Sequence, residues 1–265
     1  MHNTPFVTII LPTYNRQDKI LQCVASILAQ TYKCFSLYVI DDASTDKTAN
    51  VVQWIWDKRV QYFQLSLNWW PSIARNFGLN IARTKYIAFL DSDDIWSDNK
   101  KLEKQVQNLE ENKDTVLVGC QGINNFGELY SWPLSYNDFL KKAFYNCSPH
   151  IDGWLIRREI IEKYGIRFWN YWAEDYEFLL HLWSVWPVYC LDFFWFIYDV
   201  NPKSRYLSNA AKTNFESLYF ILKYRKKYPN WPSPFIYRIK KMIRKFPNWI
   251  LLRVWLYRSD LFKNI

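Results

Sequence analysis

Four short apolar runs, Phe6 to Leu11, Phe35 to Ile40, Val60 to Leu65 and Lys85 to Leu90, alternate with stretches whose apolar residues recur at helical spacing. A strand joined to the next one through a helix has to cross over the sheet, so consecutive strands pair in parallel and the chain is committed to an α/β architecture. Between the runs, Gln17 to Gln30 places Ile20, Leu21, Val24, Ile27 and Leu28 on one helical face. Ser44 and Thr45 are cap residues for a helix to about Trp56, and Pro71 suits the first position of a helix to about Ala82.

In open parallel sheets, ligands bind beyond the carboxyl ends of the strands. The polar clusters of this chain fall there: Pro12 to Arg16 after the first strand, Asp41 and Asp42 after the second, and Asp91, Asp93 and Asp94 after the fourth. Like charges this close raise one another's pKa unless a cation or hydrogen-bond donors intervene. A hard divalent cation answers that need, and so does a solvated turn that caps the next helix.

Further along, the pattern predicts a charged helix from Ser97 to about Lys113, strands at Thr115 to Cys120 and Gly153 to Ile156, and a short helix at Arg158 to Tyr164. The segment Tyr171 to Leu180 opens a helix with Asp175, Phe178, Leu179, Leu182 and Trp186 along its buried stripe. Asn124 to Ser148 shows no clear period, and Asn209 to Lys227 is helical before Pro229 and Pro232 interrupt. From Lys203 onward 15 Lys and Arg face only Glu216 and Asp260, which exceeds the whole chain's net charge of +9 and leaves the first 202 residues acidic. Two parts with different partners are implied. Residues Pro234 to Lys245 carry Phe235, Ile236, Ile239, Met242 and Ile243 on one side and basic residues on the rest, the pattern of a helix lying on an anionic membrane surface.

Five cysteines, none spaced as CxxC, argue for reduced thiols and against a disulfide frame or zinc site. The N-terminus lacks the pattern of a signal peptide, and no apolar run is long enough to span a bilayer. A fifth of the residues are aromatic, more than a core needs, so some of that surface is expected to face a sugar, a lipid or a partner.

The ordered set Thr8-Ile-Ile-Leu-Pro-Thr-Tyr-Asn-Arg16, Val39-Ile-Asp-Asp-Ala-Ser-Thr-Asp46, Ala74-Arg-Asn76, Phe89-Leu-Asp-Ser-Asp-Asp94 and Glu174-Asp175 resembles the family 2 glycosyltransferases of the GT-A fold, over roughly Val7 to Asp199. The resemblance implies a Rossmann-like, mostly parallel sheet flanked by helices. Its catalytic domain would span 1–202, with a nucleotide-sugar half at 1–113 and an acceptor half at 114–202. A basic, aromatic helical extension at 203–265 would associate with the membrane. The resemblance further implies that Pro12, Thr13, Tyr14 and Asp42 hold the base of a UDP-linked donor, that Arg75 reaches its diphosphate and Asp91 its ribose, that Arg16 and Ser92 also belong to the donor site, and that Asp93 holds Mn²⁺ or Mg²⁺. Asp175 matches the catalytic base, with Glu174 its acidic neighbour; Trp154 and Trp172 are candidates for acceptor stacking, and for Trp172 a core position is an equal reading. The expected reaction moves one sugar, with inversion, to a glycan or lipid-linked acceptor for a bacterial surface polysaccharide, on the cytoplasmic face of the membrane and without nucleic acid as partner.

Two positions depart from the family pattern, Trp70 and Ala43, where glycine is common, and the QxxRW motif of processive synthases is missing. Rival readings fit the residues less well. A nucleotidyltransferase would need a Gly-rich loop where Leu11-Pro-Thr-Tyr-Asn15 stands, and a haloacid-dehalogenase-like phosphatase places its aspartates on the first strand. A basic nucleic-acid- or membrane-binding protein with a non-catalytic α/β domain is the alternative from another class.

Overall fold

A computed structural model describes residues 6–130, 150–169, 173–184, 188–199 and 210–227, together with positions 236, 239 and 240. The expected alternation is present: β1 (Val7–Thr13), α1 (Ile20–Leu28), β2 (Phe35–Asp41), α2 (Thr48–Gln53), β3 (Val60–Gln64), α3 (Pro71–Ile81) and β4 (Tyr86–Phe89). β5 (Ile95–Trp96), α4 (Lys101–Glu111), β6 (Leu117–Asn124) and β7 (Leu129–Tyr130) follow. Next come β8 (Leu155–Arg157), α5 (Arg158–Lys163), α6 (Glu174–Trp183), β9 (Val188–Tyr198) and α7 (Ala210–Tyr224).

The strands form one sheet in the order β3-β2-β1-β4-β8-β6-β9-β5, with β7 on β6. The first four strands pair in parallel, as crossover connections require. Beyond β4 the sheet is mixed, because β8 runs antiparallel to both β4 and β6 while β6 and β9 are parallel. The chain reaches β8 with its direction reversed, so the start of β8 lies at the edge where β4 ends. β9 answers to no strand in the sequence reading; its apolar run Val188 to Tyr198 pairs with β6 across a register shift near Gln121.

Both faces of the sheet are covered. Ile9, Leu11, Leu37 and Val39 face α1 and α4 through Val24, Ile27, Leu102 and Leu109. On the other face Ile10, Ile40 and Phe89 meet α3, α5, α6 and α7 through Ala74, Ile161, Phe178 and Phe220. α3 comes so near the sheet that a Cβ at Gly78 would lie 2.7 Å from Ile10 Cγ2, so only glycine fits. Phe220 and Ile221 of α7 are fully buried, and Lys223 Nζ and Tyr224 Oη bond Glu177 Oε1 of α6 at 2.7 and 2.8 Å. α7, which lies past the boundary expected at 202, packs with the sheet: its apolar stripe completes one face of the core. The amphipathic pattern at 234–245 lies outside the described residues except at positions 236, 239 and 240.

Ser44 and Thr45 do not cap α2, which starts at Thr48 after an uncapped Lys47. They tie two loops together instead: Ser44 Oγ accepts from Asn15 N–H at 2.9 Å, and Thr45 N–H donates to Asn15 Oδ1 at 2.8 Å.

Candidate functional site

The loops after β1, β2 and β4 meet at one edge of the sheet, as their strand order demands. Asp42 N–H donates to Thr13 O at 2.8 Å, and Asp42 Oδ1 accepts from Trp69 N–H at 3.0 Å. Asp42 is buried beside Pro12 and Thr13, and Tyr14 stands exposed at the rim. Asp41, by contrast, anchors the loop, accepting from Ser44 N–H at 2.7 Å and Tyr62 Oη at 2.5 Å. Ala43 next to it has φ of 60°, the left-handed region that glycine enters without cost, which accounts for the family's glycine there. Trp70 needs no such freedom; its φ of −160° is ordinary extended backbone, and Pro71 follows as the first residue of α3.

The second part of the site is the turn at Asp91 to Asp94, closed by Asp94 N–H donating to Asp91 O at 3.0 Å. Ser92 is buried within it. Arg16 Nη2 pairs with Asp93 Oδ2 at 3.0 Å, so a positive charge from the β1 loop already sits on the carboxylate expected to hold a metal. Burial raises the Asp93 pKa; the Arg16 guanidinium opposes that and Asp91 adds to it. A carboxylate so placed gains from a cation. A cleft of about 130 Å³ opens beside it, lined by Lys19, Asp94, Asn125 and Asp199 among others.

Arg75 of α3 joins the turn to α6. Only 4% exposed, it donates to Asp91 Oδ1 at 2.6 Å and Glu174 Oε1 at 3.2 Å, with Phe168 under its guanidinium at 5.4 Å. Its fork thus ties the Asp91 turn to the first turn of α6, where it holds Glu174. Asp175 follows Glu174, half-buried, with Tyr176 N–H donating to its Oδ1 at 2.7 Å. Burial raises the Asp175 pKa, against the opposing charges of His150 and Arg75. Trp154 is corrected: it is fully buried, 5.8 Å from Phe178 and 6.4 Å from Phe89, and fills the core on the α6 face, while Leu155 beside it turns to the opposite face, which is covered as well. Trp172 lies outside the described residues.

Two residues that sequence reasoning did not place at the site are His150 and Asp152. Asp152, wholly buried, accepts from Asp91 N–H at 2.8 Å, and its Oδ2 lies 3.0 Å from His150 Nδ1. Ligand atoms of Asp94, His150 and Asp152 fall within 4.8 Å of one another. Burial pushes the Asp94 carboxyl well above the usual range, helped by the Asp152 charge, and the pair shares a hydrogen bond. Burial disfavours a charged Asp152, yet His150 and the Asp94 and Asp91 hydrogen bonds hold its pKa down. The available sequence signal was a polar residue just before an apolar run, which marks the ligand edge only if the strand is known to be antiparallel.

An α/β sheet of this order, with a carboxylate turn after the fourth strand and an acidic helix start facing it, defines a GT-A glycosyltransferase. The family model described as Glycosyl transferase family 2 matches residues 8–165, and the chain belongs to that family. It is 37% identical over 183 residues, 67% of this chain and 72% of the relative, to an uncharacterized glycosyltransferase of Haemophilus influenzae. Over 181 residues, 66% of this chain and 69% of the relative, it is 35% identical to the Escherichia coli UDP-Glc:alpha-D-GlcNAc-diphosphoundecaprenol beta-1,3-glucosyltransferase WfgD. Some relatives are far longer; one from Rickettsia bellii is matched over 15% of its length, at 44% identity. Among solved structures, S. aureus TarS 1-349 in complex with UDP-GlcNAc superposes with a TM-score of 0.74 at 21% identity, covering 97% of this chain and 78% of that one.

Proposed function

We propose that this glycosyltransferase moves one hexose or N-acetylhexosamine from a UDP-linked donor, with inversion, to a hydroxyl of a lipid-linked glycan during surface-polysaccharide synthesis. The observation that carries the reading is the convergence of Asp42, the Asp91 to Asp94 turn and Asp175 at one sheet edge, with Arg75 bonded to both the turn and α6. The kinship with an enzyme named for a UDP-glucose donor and a diphosphoundecaprenol-linked acceptor supports the substrate classes.

In this reading Pro12, Thr13, Tyr14 and Asp42 hold the uracil end of the donor. Asp91 and Ser92 flank the ribose, and Arg16 turns from Asp93 towards the diphosphate. Arg75 acts through Asp91 and Glu174, both of which it holds. Asp175 takes the proton of the acceptor hydroxyl as its oxygen bonds to the anomeric carbon and the bond to the leaving phosphate oxygen breaks. Its raised pKa brings the base nearer the working pH, which favours proton transfer.

The donor set at the turn fits a hard divalent ion. Asp91 and Asp93 offer only carboxylate oxygens, and Asp93 is already matched with a cation in the form of Arg16. Bound Mn²⁺ or Mg²⁺ supplies Lewis-acid stabilisation of the diphosphate charge. The basic residues past Lys227 suit an anionic membrane surface, where a lipid-linked acceptor is found. Among the described residues no helix is long and apolar enough to cross a membrane.

The test is a panel of UDP-sugars with Mn²⁺ and a synthetic acceptor bearing GlcNAc on a lipid diphosphate. Product with one added sugar of inverted configuration is expected; transfer to none of the panel, or donor use unchanged by chelator, overturns the reading.

A further inference from the structure

The Asp91 to Asp94 turn begins where the parallel β1–β4 ladder ends. β1 supplies the last such bond, Leu90 N–H to Ile10 O at 3.2 Å. The next donor, Asp91 N–H, points at a side chain instead: Asp152 Oδ1, at 2.8 Å. The far end of the turn is held by the same residue, since Trp96 Nε1 donates to Asp152 O at 3.0 Å. Asp152 is wholly buried, and so is Lys101, whose Nζ lies 4.0 Å over the Trp96 ring and bonds Gln105 Oε1 at 2.8 Å. Gln105 Nε2 in turn donates to Gly153 O at 2.7 Å, which fixes the backbone that follows Asp152. On the other side His150 Nδ1 approaches Asp152 Oδ2 at 3.0 Å while its ring lies 4.4 Å from Tyr198.

We propose that Asp152 is a positioning residue for the donor site: its carboxylate and carbonyl grip both ends of the Asp91 to Trp96 segment, and so set where Asp91 and Asp93 stand when they meet metal and diphosphate. The inference rests on the glycosyltransferase reading of that turn. A reacting or coordinating group displaced by about 1 Å loses on the order of a hundredfold in effectiveness, so the backbone bond to Asp91 matters beyond its own strength. The uracil end of the site is held separately, by the Thr13 to Asp42 and Trp69 to Asp42 bonds, and does not depend on Asp152.

That separation supplies the test. Asp152→Leu keeps the branching at Cγ, with a larger side chain, and removes the acceptor, whereas Asp152→Asn keeps an oxygen for Asp91 N–H. Binding of UDP with saturating Mn²⁺ and of uridine alone is measured by calorimetry on the full chain, with thermal melting of each variant. Asp152→Leu should weaken UDP–Mn²⁺ binding about tenfold or more while uridine affinity holds within about twofold, and Asp152→Asn should restore most of the loss. Should Asp152→Leu fail to fold, His150→Phe keeps the ring packing and removes the Oδ2 contact; it should weaken UDP–Mn²⁺ binding about threefold with uridine unaffected. Unchanged UDP–Mn²⁺ affinity in the Leu variant, or in His150→Phe if that one carries the test, overturns the inference. A parallel loss of uridine binding does so too, as it reports general loosening. An Asn variant as poor as Leu would make Asp152 a ligand or an essential charge, against positioning. Wild-type protein that binds neither UDP nor uridine would instead overturn the donor reading itself.

Discussion

In the proposed reaction Asp93 and Asp175 divide the chemistry between them, and single substitutions separate the two roles. Asp93→Asn keeps the size of the side chain and its bond to Arg16, yet halves the charge available to a divalent ion. UDP affinity in the presence of Mn²⁺ should fall about tenfold or more by calorimetry, with uridine affinity unchanged. Asp175→Asn should lower kcat by about 10² or more while UDP affinity stays near wild type, because a base acts on the transition state and not on donor binding. The same residue sets the acid limb of the pH profile. Its pKa is raised by burial, so the active, ionised form is present above that raised value and is lost as pH falls through it. The limb should therefore lie above the ordinary aspartate range of about 4 and vanish in the Asn variant's residual activity.

At the scale of elements, what links the turn beyond β4 to the start of α6 is a side chain of α3. Arg75 bonds Asp91 beyond β4 and Glu174 at the start of α6, and both partners need the planar fork. Arg75→Lys keeps the charge but lets one ammonium serve only one carboxylate at a time, leaving the other buried charge without its partner. We expect about 2 kcal/mol lost in urea unfolding and kcat reduced about tenfold. A variant with full stability and activity would show that the link is dispensable. β8 teaches a related point. Because it runs against β4, its first residues land at the ligand edge, and Asp152 reaches Asp91. An acidic residue before an apolar run carries no such meaning in a sequence, since strand direction is settled only by pairing.

For the whole molecule, the boundary of the catalytic unit decides which truncations are informative. A chain ending near residue 206 lacks α7, whose Phe220 and Ile221 are buried against the sheet and whose Lys223 and Tyr224 bond Glu177. Such a chain should melt well below full-length protein, with a loss of about 3 kcal/mol or more for each large apolar side chain removed from the core. A chain ending just after Lys227 should keep its melting temperature and donor turnover. Liposome flotation of that shorter chain then tests the tail: full-length protein should float with anionic vesicles in a salt-sensitive way, and the 1–227 chain should not. Equal flotation of both would place the anchor elsewhere.

The amino-acid sequence by itself determined the parallel half of the sheet and the loops that carry Thr13, Asp42 and Asp91 to Asp94. There strand, helix and polar cluster recur in local order, and crossover connections make the pairing parallel. It also placed Asp175 at a helix start beside buried Phe178 and Leu179, since periodicity is a local property. Only the tertiary structure decided which way β8 runs, that β9 joins β6, that Trp154 is core and that Arg75 bridges two carboxylates from different loops. Those outcomes depend on contacts between residues far apart in the chain, where composition is silent about direction and partner. The packing of α7 is settled the same way: charge is counted along the chain, but Phe220 and Ile221 answer to the helix face that meets the sheet.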